Sequence, residues 1–183
     1  MVRYEVAKWS VFLATRERGR RVREEIEQHL AQLASGDNLA ISFEGVEGIT
    51  VSFGDECIAK LIIARLTGDF SDRGLVIEEM NTDVRETLEA VLSRRNVAAV
   101  VLNASGQPEI LGHPAWMRET LTAALELRSF RASDLAERLH ITPQAANNRL
   151  KGLVGSGALA RERIVPEGGG KEFNYEIVIP AYA

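Results

Sequence analysis

Cysteine occurs once in the 183 residues, at Cys57, and the three histidines, His29, His113 and His140, lie far apart. Neither a disulfide framework nor a Cys/His metal cluster can be assembled from them. No apolar run approaches the ~20 residues of a membrane span. Arg3, Glu5 and Lys8 interrupt the N-terminus, which therefore does not read as a signal peptide. Internal repeats are missing, and the only biased tract is the short run Gly168-Gly169-Gly170. These absences lead to the expectation of a cytoplasmic protein with no metal site, no cofactor and no membrane partner.

What is present is ordinary for a globular chain: 45% hydrophobic and 26% charged residues, enough apolar side chains for real cores. The length allows two modest domains. A net charge of −4 disfavours nucleic-acid binding by the chain as a whole, because phosphate contacts need a surplus of cations. The charge is unevenly distributed, however. Residues 1–115 hold 13 basic and 18 acidic side chains, whereas residues 116–183 hold 9 basic and 8 acidic. Only the second part can offer a DNA face.

The stretch Asn103-Ala-Ser-Gly-Gln-Pro108, followed by Gly112-His-Pro114, breaks the apolar periodicity and reads as a linker over 104–113. Before it, strand-like and helix-like patterns alternate. Tyr4 to Leu13 is strand-like, and Val22, Ile26, Leu30 and Leu33 make one helix stripe. Leu39 to Phe43 suits a buried strand. A helix following Ser52 places Phe53, Cys57, Leu61 and Ala64 on one face. Leu75 to Ile77 is a further strand, Val84, Leu88, Val91 and Leu92 mark a third helix that Asn81-Thr82 caps, and Val97 to Leu102 is a last strand. Such alternation predicts an α/β domain over 1–103, a sheet covered by helices.

Beyond the linker, residues 114–183 read as three helices and a hairpin, a small α+β domain. Met117, Leu121, Ala124 and Leu125 face the core from the first helix. Ser133 is a suitable N-cap for the second, and Thr142 with Pro143 opens the third. In that third helix Ala146, Leu150, Leu153 and Val154 must be buried, which leaves Gln144, Asn147, Asn148 and Lys151 on the opposite face, with Arg149 at its margin. Short amides can bridge base edges and cations can meet phosphate. Gly155-Ser-Gly157 stops the helix. Leu159 to Val165 and Phe173 to Ile179 can pair as strands around a tip at 166–170, with Arg161, Arg163 and Lys171 on or beside them.

The stretch from Ala132 to Leu159, with its Thr142-Pro143 start, amide-rich face and Gly-Ser-Gly stop, resembles the winged helix-turn-helix of bacterial transcription regulators. That resemblance implies Gln144, Asn147 and Asn148 toward bases, and Arg149, Lys151 and Lys171, with Arg163 beside them on the wing, toward phosphates.

In the first domain, Ile41-Ser-Phe-Glu-Gly-Val46 and Ile49-Thr-Val-Ser-Phe-Gly-Asp-Glu56 resemble the core of a STAS domain, the fold of anti-sigma-factor antagonists. They are closer still to a STAS-like domain of unknown function, which Phe12-Leu-Ala-Thr-Arg16 also fits. The resemblance implies that Ser52 is the matching position of a regulatory serine, with Asp55 and Glu56 beside it as a switch or partner site. It also implies a histidine-kinase-like ATPase or serine kinase as partner. A phosphate there would meet unpaired N–H groups at a helix start. The plainer reading is that Ser52 caps the helix and that Asp55 and Glu56 favour its dipole.

The arginines at 16, 18, 20, 21 and 23 interleave with Glu17, Glu24, Glu25 and Glu27 and read as a salt-bridged helix face. Cys57, on an apolar helix face, is packing. No nucleophile, base and orienting group are spaced for catalysis, so an enzyme is not expected. The reading as a whole is a DNA-binding transcriptional regulator, a homodimer on double-stranded DNA, in which a STAS-like domain controls a winged helix. Its rivals are a non-catalytic protein-protein adaptor and an enzyme acting on nucleotide or phosphate at the Ser52 turn.

Overall fold

The computed structural model describes residues 2–164 and 172–179. Its main sheet has the order β1-β3-β5-β6-β7, with β1 at Val2–Glu5, β3 at Asn38–Ser42, β5 at Gly74–Glu78, β6 at Ala98–Leu102 and β7 at Pro108–Gly112. The first four run parallel and β7 pairs antiparallel with β6. The stretch Tyr4 to Leu13 is not one strand. It breaks into β1, a 3-10 turn at Val6–Lys8 and the short β2 at Phe12–Leu13, which pairs with β4 at Gly48–Ile49.

One face of the sheet is covered by α1 (Arg16–Gln32), by α4 (Thr82–Arg94), and by a continuous helical segment that contains α2 (Val51–Gly54), a π turn (Asp55–Ala59) and α3 (Lys60–Thr67). Large strand residues, Leu39, Ile41, Leu75 and Ile77, point to this side and meet Val22, Ile26, Phe53, Cys57, Leu61 and Leu88. Asn81 caps α4, accepting a hydrogen bond from the Val84 amide at 2.9 Å.

The alternate strand positions, Ala40, Val76, Ala98 and Val100, face the other way and are equally buried. Their cover is the C-terminal part of the chain, with Met117, Leu121, Ala124, Leu150, Leu153 and Val154 in the same cluster. Burial on both faces is why these strands read as unbroken apolar runs. Half of the segment read as a linker is a strand: residues 108–112 are β7. Its Gly and Pro residues hid a strand that sits at the sheet edge, where a proline is tolerated.

The C-terminal part consists of α5 (Trp116–Leu127), β8 (Ser129–Arg131), α6 (Ala132–Leu139), α7 (Pro143–Ser156), β9 (Leu159–Ile164) and β10 (Glu172–Ile177). Its three strands form an antiparallel sheet in the order β8-β10-β9. Thr142 caps α7, its hydroxyl accepting from the Ala145 amide at 3.2 Å, and Pro143 follows. Ser133 does not cap α6. That helix begins one residue earlier, and the Asp134 carboxylate instead accepts from the Arg131 amide at 2.7 Å. No helix among the described residues is long and apolar enough to cross a membrane.

Candidate functional site

At the start of α2 the cap is Thr50, whose hydroxyl accepts from the Phe53 amide at 3.2 Å. Ser52 lies one turn position inside the helix and is half-buried, so the capping role expected of it belongs to Thr50. Asp55 and Glu56 do not stand free beside it. Both are buried in the π turn. Arg95 holds Asp55 at two points, 2.7 and 2.8 Å, while Arg16 and Arg94 approach at 3.4 and 3.6 Å. Glu56 pairs with Lys60 at 2.7 Å, and Arg23 stands 3.6 Å away. Five cations thus neutralise two carboxylates. The Arg95 hydrogen bonds hold the Asp55 carboxyl down at about 2, too acidic for a general base near neutral pH. Burial pushes the Cys57 thiol upward, so this cysteine is packed and inert.

Near Ser52 the chain exposes Val11, Phe12 and Val51, each about half accessible. Phe12 lies on β2, whose pairing with β4 sets it beside Gly48, three residues before Val51. On α1, Arg21 and Glu17 pair at 2.6 Å, and Arg23 and Glu27 at 3.5 Å, as the interleaved charges suggested.

The amide-rich face of α7 is exposed. Gln144, Asn147, Asn148 and Lys151 lie open while Ala146, Leu150, Leu153 and Val154 are buried. Asn147 turns its amide back onto the Pro143 carbonyl at 2.9 Å. Arg149 is placed elsewhere. Its guanidinium meets Glu119 at 2.8 Å and lies over the Trp116 ring at 5.6 Å, which ties it to α5. Arg163 is exposed on β9. Lys171 and the 166–170 tip lie outside the described residues.

Beside α7 runs a groove of about 460 Å³, lined by Asn147, Asn148, Lys151, Arg161 and Phe173 on one side and by Leu66 to Gly68 and Ser71 on the other. No carboxylate lines it among the described residues. Arg161 stacks over Phe173 at 4.8 Å, and Arg65 lies beneath.

Sequence reasoning missed Arg65, which is 1% exposed. It donates to the carbonyls of Gly155 at 3.2 Å and Val154 at 3.3 Å in α7, and to those of Phe70 at 2.9 Å and Arg73 at 2.6 Å. Its signal in the sequence is a charge at i+4 from Leu61, on a stripe that is otherwise apolar.

A second cavity, about 720 Å³, opens at the carboxyl ends of β5 and β6, where ligands of open α/β sheets bind. Its lining includes Glu78, Glu79, Glu86, Glu89 and Glu109 against one cation among the described residues, Arg85. Burial raises the Glu78 carboxyl, and such a lining repels phosphate-bearing ligands.

The segment from α1 to the start of α4 has a counterpart among known families. Residues 18–85 match the family model of a STAS-like domain of unknown function (DUF4325). The match takes in most of α1, strands β3 to β5, the α2–α3 segment and the first residues of α4. It therefore takes in Asp55 and Glu56 with Arg23 and Lys60, while Arg16, Arg94 and Arg95 lie outside it. No curated protein and no solved structure matches the chain.

Proposed function

We propose that the chain is a non-catalytic, DNA-binding transcriptional regulator in which the STAS-like unit governs a winged helix-turn-helix over 114–183. The observation that carries this reading is the outward face of α7, where Gln144, Asn147, Asn148 and Lys151 stand exposed opposite a fully buried apolar stripe. The order α5, β8, α6, α7, β9, β10 with the sheet order β8-β10-β9 supports it. In a winged helix, the helix after the turn enters the major groove by its N-terminal half. That half of α7 is the open half; Val154 to Ser156 are buried against the first unit. Binding as a dimer to paired half-sites would supplement a face of modest charge.

In this reading Ser52 and the exposed Val11, Phe12 and Val51 form the surface through which the STAS-like unit receives its signal. The partner is a histidine-kinase-like ATPase or a serine kinase. A phosphate on Ser52 would meet Arg16, Arg94 and Arg95, which already converge one turn further on at Asp55. The same apolar patch favours a second reading, a protein-protein adaptor whose C-terminal unit also binds protein.

The test is fluorescence anisotropy with DNA from the chain's own promoter region at two salt concentrations. Binding that weakens with salt and collapses in an Asn147→Ala/Asn148→Ala/Lys151→Ala variant supports the regulator. Absence of binding by the native protein at both salts would leave the adaptor.

A further inference from the structure

We propose that the groove between the 66–71 turn and α7 carries the phosphodiester backbone of duplex DNA, so that the STAS-like unit is itself part of the DNA-binding surface. This rests on the DNA-binding reading above and adds to it a contact from outside the C-terminal unit.

Three observations carry it. The groove has no acidic lining among the described residues, although the chain as a whole is acidic. Its lining draws on distant parts of the chain, Lys151 and Arg161 from α7 and β9 and Ser71 and Gly68 from the segment after α3. Beneath it, Arg65 has only backbone carbonyls as hydrogen-bond partners, and the Asp72 carboxylate acts on its charge from beyond ion-pairing distance. Burial lowers its ionisation only to about 10, so the cation is intact at neutral pH. A charge held in a low-dielectric floor acts on the groove with less screening than a surface lysine.

The roles differ along the walls. Lys151 and Arg161 are exposed and can approach phosphate directly. Ser71 makes no side-chain hydrogen bond within the described residues, so its hydroxyl can donate, whereas Thr67 already donates to the Ala64 carbonyl at 2.7 Å. Hydroxyl donors of this kind fix register on a duplex without reading sequence.

The experiment is the same anisotropy titration of the full chain against promoter duplex, with Ser71→Glu, Thr67→Glu and Gln144→Ala compared and thermal melts run on each. The expected result is that both glutamate variants melt like the native protein and lose about tenfold in affinity, because each sets a negative charge against phosphate. Glutamate variants that bind like the native protein, while Gln144→Ala weakens binding, would overturn the groove and leave the DNA reading standing. Tighter binding by the glutamate variants would also overturn it, because the turn would then obstruct the duplex. No binding by the native chain would remove both.

Discussion

Arg95 grips Asp55 across 40 residues of sequence, Nε to Oδ1 at 2.7 Å and Nη2 to Oδ2 at 2.8 Å, and so ties the end of α4 to the π turn. Asp55 is 1% exposed, and a buried carboxylate persists as an anion only when its oxygens are satisfied. Its carboxyl sits at about 2 against an ordinary 3.8. A depressed carboxylate stabilises the fold above the ordinary value and loses that contribution as pH falls through the folded one. The contribution is on the order of 2 kcal/mol. Urea unfolding of the native chain and Asp55→Asn should therefore differ by a constant amount above about pH 4, and the gap should narrow from pH 4 toward pH 2.

Arg65 is expected to be intolerant of lysine. The guanidinium reaches four carbonyls, two in α7 and two in the segment after α3, and an ammonium has three donors on one point. Arg65→Lys leaves at least one buried carbonyl without a partner, at a cost of about 1–3 kcal/mol. Denaturant midpoints check the loss. Hydrogen exchange should show the last turn of α7 opening more readily, since Arg65 of α3 covers the Val154 and Gly155 carbonyls from outside that helix.

Gly155 is a contact position rather than a helix stop. A Cβ there would stand 2.2 Å from Leu66 Cδ2 and 3.2 Å from its Cα, so α7 can lie against α3 only without that methyl group. Gly155→Ala should destabilise by about 1–3 kcal/mol, the usual range for overpacking, and Leu66→Ala in the same chain should recover part of it. Gly157 is bound more tightly still: its φ is +97° and a Cβ would meet the Leu75 carbonyl oxygen at 2.3 Å. Thermal melts of Gly155→Ala, the double variant and Gly157→Ala should rank Gly157→Ala as the least stable.

These glycines mark where reading the sequence reached its limit. Most local signals were legible, although the caps read at Ser52 and Ser133 fall to Thr50 and to the Arg131–Asp134 pair. Thr142 with Pro143, Asn81 and the stripe Ala146, Leu150, Leu153, Val154 act where their spacing placed them, because a cap or a helix face depends on neighbours within one or two turns. The STAS-like segment was legible from a short run around Ser52 for the same reason. Strand β7 was hidden by its flanking Gly and Pro, and β8 is only three residues long, too short for a period to show. The site details were missed because they depend on distant residues. Nothing around Asp55 points to Arg95, and nothing around Gly155 points to Leu66 or to the buried Arg65. The two-sided burial of β6 was present in the run Val97 to Leu102, yet the covering side chains come from α4 and its neighbours on one face and from α5 and α7 on the other.

Arg149 and Lys151, two residues apart on α7, are expected to part company in DNA binding. Arg149 is held by Glu119 and stacked over Trp116, so its charge is already paired and its stem packs on α5. Lys151 is exposed and unpaired within the described residues, at the mouth of the groove. Each phosphate contact contributes about −0.9 to the slope of log affinity against log salt. Lys151→Ala should therefore reduce the magnitude of that slope by about one, with little change in the melting temperature. Arg149→Ala should leave the slope nearly unchanged and lower stability instead, by about 1 kcal/mol for the lost cation–π and ion pair. An anisotropy series across four salt concentrations, run beside thermal melts, separates the two. Equal slopes for native and Lys151→Ala would mean that Lys151 meets no phosphate.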